Sequence, residues 1–168
     1  NKFVQYLATG SGGAYSEKLL SLAKRVEEAR SSKNDPWYYP SSREDGNTTL
    51  DLLLCEVDEL EQHFVDNIGN DSFYVKRLQL QRVRLLFSLG RYADCIELWE
   101  NKVQLWDANE LMRSMIKDYI AGAYQHLGKE TIAKQYHLEQ GNYQTLAEWS
   151  SSRTGNYAAF VREMYDFN

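Results

Sequence analysis

The chain has 168 residues, 43% of them hydrophobic, with 19 basic and 24 acidic side chains and a formal net charge of −5. That length buries a continuous core without metal or disulfide staples, and the acidic balance argues against binding nucleic acid through bulk electrostatics. No run comes near the roughly 18 apolar residues of a membrane span.

In chain order, Gly10-Ser11-Gly12-Gly13 reads as a flexible tether. The chain opens at Asn1 with neither methionine nor a basic start and apolar stretch, as expected of a processed chain or a fragment of a longer one. Ser16 can cap a helix over about 17–30, on which Leu19, Leu20, Leu22, Ala23, Val26 and Ala29 recur at three- and four-residue spacing. An aromatic loop over 31–47 follows, with Pro36 and Pro40 around Trp37-Tyr38-Tyr39. Thr48, with Asp51 three residues on, starts the next helix in the manner of a capping box. This helix carries Leu50, Leu53, Leu54, Val57, Leu60 and Phe64 and ends by Gly69. The pattern then predicts helices over 73–89 (Leu78, Val83, Leu85, Leu86 and Leu89 inward), 92–104 (Ile96, Trp99 and Val103 inward), 111–127 and 131–139. Two short helices are expected around Gly141-Asn142-Tyr143 and Gly155-Asn156-Tyr157. The expected fold is all-α, with about eight helices in a single structural domain: 1–47 as tether, first helix and aromatic loop, and 48–168 as helical repeats.

The repeats show in punctuation. Leu89-Gly90-Arg91-Tyr92, followed by Cys95 and Trp99, is echoed by Leu127-Gly128-Lys129-Glu130, followed by Ala133 and His137, 38 residues later (90 to 128). Glycine supplies the left-handed backbone that ends one helix and lets the next begin. Val83, Leu86, Gly90, Tyr92, Cys95 and Trp99, then Ala121, Tyr124, Gly128, Ala133 and His137, resemble the tetratricopeptide family in their order of small and large residues. Arg82 stands where that pattern has leucine and Glu130 where it has tyrosine, and the spacing exceeds the family's by about one helical turn. The stretch from Gly155 to Phe160 is similar to the start of a second helix in a third, degenerate unit. "NDPWYYP" ahead of "RLLFSLGRYADCIELWE" also resembles uncharacterised tetratricopeptide-like proteins of Bacteroides-type bacteria.

The resemblance implies a right-handed solenoid of helical hairpins whose first helices line a concave groove. In that register the groove-facing residues are Arg77, Leu80, Arg84, Phe87 and Ser88, then Met115, Asp118, Gly122, Gln125 and His126. The expected function is non-catalytic binding of a protein or peptide, with the two arginines favouring an acidic one and Asp118 opposing it. One alternative is a carbohydrate-binding surface protein using Trp37, Tyr38 and Tyr39, because proline-bracketed aromatics offer contact area at low entropic cost. Another is a structural segment whose groove is filled by further repeats of the same full-length chain.

Charge and reactive groups complete the reading. From Glu44 to Asp71 there are nine acidic residues and no Lys or Arg, and from Lys76 to Arg91 five basic residues and no acid, so the two helices are expected to pair as a hairpin. Cys55 and Cys95 read as buried small hydrophobes. Glu56, Asp58, Glu59 and Glu61 read as a solvated helix face and His63 as a solvated histidine. His126 and His137 flank the second turn without a third ligand at short spacing, so neither metal nor other cofactor is expected. No phosphate loop, nucleophile elbow, His-Glu-x-x-His or Cys-x-x-Cys is present, which argues against an enzyme. Asn47-Thr48-Thr49 and Asn70-Asp71-Ser72 match the glycosylation pattern.

Overall fold

The structure, a computed structural model, describes residues 11–33 and 40–141. Among these the chain is all-helical and without strand: α1 (Ser11–Lys33), α2 (Pro40–Ile68), α3 (Phe73–Ser88), α4 (Tyr92–Asn101), a 3-10 turn (Val103–Leu105), α5 (Leu111–His126) and α6 (Glu130–Glu139). The two short helices expected last involve residues 142–168, outside the described residues. The chain forms two compact units, Asn1–Arg91 and Tyr92–Asn168.

In the first unit α1, α2 and α3 pack on one another. Leu19, Leu22 and Val26 of α1 meet Leu50, Leu53, Val57 and Phe64 of α2 and Tyr74, Val75, Leu78 and Leu85 of α3. Each set recurs at the spacing that keeps side chains on one helical stripe. Leu54 and Leu60 pack only partly against this core. Leu20, expected on the core face, is 61% exposed, because it follows Leu19 by one position and is rotated about 100° from it.

Both long helices begin earlier than local signals indicate. Ser11, Gly12 and Gly13 belong to α1 and do not form a tether. Glycine in a helix costs about 1 kcal/mol relative to alanine. Tertiary contacts oppose that cost: the Tyr15 ring lies edge-on to Phe64 at 5.3 Å and 5.7 Å from Tyr74. Ser16, expected as a cap, lies within α1 and its Oγ donates to Tyr74 Oη at 3.4 Å. Similarly, α2 begins at Pro40, so 40–47 are helical and the expected loop is shortened at that end. Proline at the first helical position loses nothing, since its missing N–H would have had no intrahelical partner. Thr48 therefore lies inside α2, which runs across the expected boundary at 47/48. Trp37, Tyr38 and Tyr39 lie outside the described residues. At the start of α3, Ser72 caps the helix by accepting from the Val75 N–H at 3.2 Å.

In the second unit α5 packs against both α4 and α6. Buried there are Cys95 and Trp99 of α4, Val103 of the 3-10 turn, Met112, Ile116, Ile120, Ala121, Ala123 and Tyr124 of α5, and Ala133 and His137 of α6. The helix expected to reach 104 ends at Asn101, and Ile96 is half-buried, with Cys95 and Trp99 facing the interior. Cys95 is buried as expected, whereas Cys55 is exposed; two positions past the core residue Leu53, it lies about 200° around the helix.

The two Leu-Gly points have the same geometry. Gly90 donates to Phe87 O at 3.0 Å and Arg91 to Leu86 O at 2.9 Å, and Gly128 donates to Gln125 O at 3.1 Å and Lys129 to Tyr124 O at 3.0 Å. This crossed pair of bonds satisfies the orphan carbonyls at a helix end and requires the left-handed backbone. Gly90 and Gly128 supply it at φ 75° and 77°.

Candidate functional site

The opposed charge blocks meet at Arg82 of α3. Its guanidinium pairs with both Asp58 and Glu61 of α2. Gln79, fully buried, completes the network: its Nε2 donates to Glu61 Oε1 at 2.8 Å and to Val75 O at 3.2 Å, and its Oε1 accepts from Arg82 Nε at 3.2 Å. Buried polar groups tied in this way fix the alignment of two helices, since displacement leaves them unpaired. Sequence reasoning missed Gln79; the signal available was its place one turn before Arg82 on the α2-facing side.

Glu56 and Glu59 of α2 line a cleft of about 540 Å³ between α1 and α2. Its lining includes Glu17, Lys18, Arg25, Glu56, Glu59 and His63. Arg25 and Glu56 form a two-bond pair at 2.6 and 2.5 Å. Those hydrogen bonds hold the Glu56 carboxyl below its ordinary range against the opposing effect of burial, and raise the Arg25 guanidinium correspondingly. The side chains are 44% and 39% exposed, so the pair is worth under about 1 kcal/mol. Of the four carboxylates expected on a solvated face, Glu56, Asp58 and Glu61 thus join α2 to its neighbours. His63 is exposed, with its ring 5.8 Å from that of Tyr15.

The expected groove residues of the first unit lie along α3. Arg77 is half-buried, with its guanidinium carbon 5.4 Å from the ring centroid of the exposed Phe73. Arg84 and Phe87 are half-buried, and Ser88 Oγ accepts from Arg30 Nε at 2.9 Å. Leu80 is only 5% exposed and has little surface to offer a partner.

Those of the second unit lie along α5, and two are tied to α6. Gln125 Oε1 meets His137 Nε2 at 3.0 Å. Asp118 Oδ1 accepts from Gln140 Nε2 at 3.1 Å, and the same amide donates to Ser114 O at 2.8 Å. Met115 and Gly122 are half-buried. His126 is exposed and its ring stacks on Tyr92, with centroids 4.4 Å apart and planes 1° from parallel. His137 is 5% exposed. Burial pushes its imidazole below the ordinary range, and the Asp118 charge pulls the other way. The two histidines are thus engaged with different partners. Among the described residues no three His, Cys, Asp or Glu side chains are grouped as a metal ion would need.

Beneath α5 lies an aromatic cluster absent from the sequence expectations as a unit. Trp99 Nε1 donates to Tyr136 Oη at 3.1 Å, and the Tyr124 and Tyr136 rings stack at 5.5 Å. Arg113 covers Trp99 at 5.2 Å and Lys117 covers Tyr136 at 5.3 Å, the latter also pairing with Glu139 at 2.6 Å. Burial, and then the neighbouring Tyr136 and Glu100, push the Tyr124 phenol up to about 12. The arrangement suits holding helices together and presenting charged rims. No helix among the described residues is long and apolar enough to cross a membrane. Compared with family models, curated proteins and solved structures, the chain with this arrangement of sites finds no match.

Proposed function

We propose that the chain is a non-catalytic interaction module of tetratricopeptide-like helical hairpins that binds a polypeptide through α3 and α5, with an acidic segment preferred at α3. The observation that carries this reading is Arg77 over exposed Phe73, on a helix with no acid between Lys76 and Arg91. A guanidinium held against an aromatic face keeps its in-plane N–H donors for a carboxylate while the ring supplies apolar contact. On α5, Met115, Asp118, Gln125 and His126 would set the other end of the preference.

Fluorescence anisotropy with labelled acidic, neutral and basic peptides tests it. The acidic set should bind, more weakly as salt rises. Arg77→Glu with Arg84→Glu should weaken that binding at least about tenfold, corresponding to about 1.4 kcal/mol, with unchanged circular dichroism. Equal binding of all peptides by the folded variant would remove α3 as the contact surface.

A further inference from the structure

We propose that Arg113, Lys117 and Tyr136 form a binding site for a carboxylate beside the Trp99 ring, where α5 packs on α4 and α6. The site lies within the second unit and stands independently of the peptide-binding reading of α3.

Arg113 and Lys117 are four residues apart on α5 and so project from one side of it. Each cation lies against an aromatic ring, the Arg113 guanidinium 5.2 Å from the centroid of Trp99 and Lys117 Nζ 5.3 Å from that of Tyr136. The two rings meet edge to face and are joined by the bond from Trp99 Nε1 to Tyr136 Oη, so both cations bear on one aromatic pair. Both are partly withdrawn from water. The Lys117 side chain is 14% exposed, and Arg113 is half-buried with its Nε sealed from solvent.

What this place lacks is an acceptor. The Arg113 Nε–H has no hydrogen-bond partner, and among the described residues no carboxylate pairs with the guanidinium. An aromatic face attracts a cation but takes up none of the in-plane N–H bonds of a guanidinium. Tyr136 Oη receives the indole N–H, and its own O–H finds no acceptor among the described residues. The nearby acids are already engaged: Glu139 with Lys117 at 2.6 Å, Glu100 with the Tyr124 hydroxyl at 3.4 Å, and Asp118 with Gln140 at 3.1 Å. Two cations against one paired carboxylate leave a positive charge uncompensated in a partly desolvated place, a cost that a bound anion removes.

The donors select the anion. Of the Arg113 nitrogens only Nε is sealed, so a ligand meets Nη1 and Nη2, whose N–H bonds match the two oxygens of a carboxylate. A monoanion balances the single uncompensated charge, whereas a phosphate group carries more than one charge at neutral pH. A small organic acid and a glutamate side chain on a peptide present the same group.

Nuclear magnetic resonance on the nitrogen-15-labelled full chain tests the site, with propionate or a blocked Gly-Glu-Gly tripeptide titrated at constant ionic strength against chloride. The Arg113 Nε–H and Trp99 Nε1–H resonances should shift and saturate, and the ligand that saturates them at the lower concentration identifies the source of the carboxylate. Arg113→Gln, checked for folding by circular dichroism, should weaken binding at least about tenfold as read at Trp99. Arg113→Lys, which keeps the charge and loses the fork, should weaken it about threefold or more. Lys24→Gln, which removes a charge from an exposed position of α1, should leave it unchanged. Shifts that do not saturate with either ligand, that centre on other residues, or that chloride reproduces overturn the site, and these readings on the wild type do not depend on a variant folding. Arg113→Lys binding as tightly as the wild type, or inorganic phosphate binding more tightly than both carboxylates, overturns the assignment of the ligand.

Discussion

Replacing Trp99 with alanine is the sharpest test of the packing in the second unit. Trp99 is 1% exposed and is the largest fully buried side chain among the described residues. Its ring makes an edge contact with Tyr136, its Nε1 donates to Tyr136 Oη at 3.1 Å, and Arg113 covers it at 5.2 Å. Truncating a buried tryptophan costs about 3–5 kcal/mol in lost transfer energy and residual cavity. Loss of the indole hydrogen bond adds about 1 kcal/mol, because the part-buried Tyr136 hydroxyl loses its donor. The total expected is about 4–6 kcal/mol, a drop in melting temperature of roughly 10–20 °C for a chain of this size. Trp99→Phe keeps most of the apolar area and should cost about 1–2 kcal/mol, chiefly the hydrogen bond and a small cavity. Urea unfolding followed by far-ultraviolet circular dichroism measures both, with an unchanged slope as the check that the unfolded state is the same. A loss below about 1 kcal/mol for Trp99→Ala would refute the claim that this side chain fills the α4–α5–α6 interior.

Four other outcomes follow from particular residues. Arg82→Leu should cost about 2 kcal/mol, since Glu61 and buried Gln79 lose a shared charged partner; a gain in stability on urea unfolding would mean that the network carries nothing. Gly128→Ala meets no neighbouring atom, yet its φ of +77° penalises any side chain, so a loss of about 1–2 kcal/mol is expected. Gly13→Ala in α1, equally open, should instead gain about 0.5 kcal/mol, and thermal melts showing the same sign for both would refute the backbone argument. The Tyr124 phenol, raised from 10 to about 12, contributes stability that is present below 10 and lost as pH rises through that window, because the unfolded chain releases its proton first. Ultraviolet difference titration against Tyr124→Phe should place one ionisation near 12, and a midpoint at 10 would remove the burial effect.

The stripes of α2 and α3 and the turns at Gly90 and Gly128 were legible from sequence because each depends on local geometry. A helix repeats its faces every three to four residues, and a left-handed helix end needs glycine wherever the helix later docks. Tertiary structure decided what local rules leave undetermined. Gly12 and Gly13 are helical because Tyr15 finds Phe64 and Tyr74, a contact about fifty residues distant that propensity does not register. Leu20 and Cys55 face solvent because helical rotation turns them away from the core while their composition reads as interior. The candidate sites show the same division. A run of basic residues was visible on α3, but only packing against α2 assigns Arg82 to Asp58 and Glu61 and turns Gln79 inward. Gln125 and Asp118 were placed on an open face from the repeat register, and the docking of α6 ties them to His137 and Gln140. Periodicity assigns a residue to a face of its own helix; which residue lies opposite depends on how two helices meet, and that is a property of the folded chain.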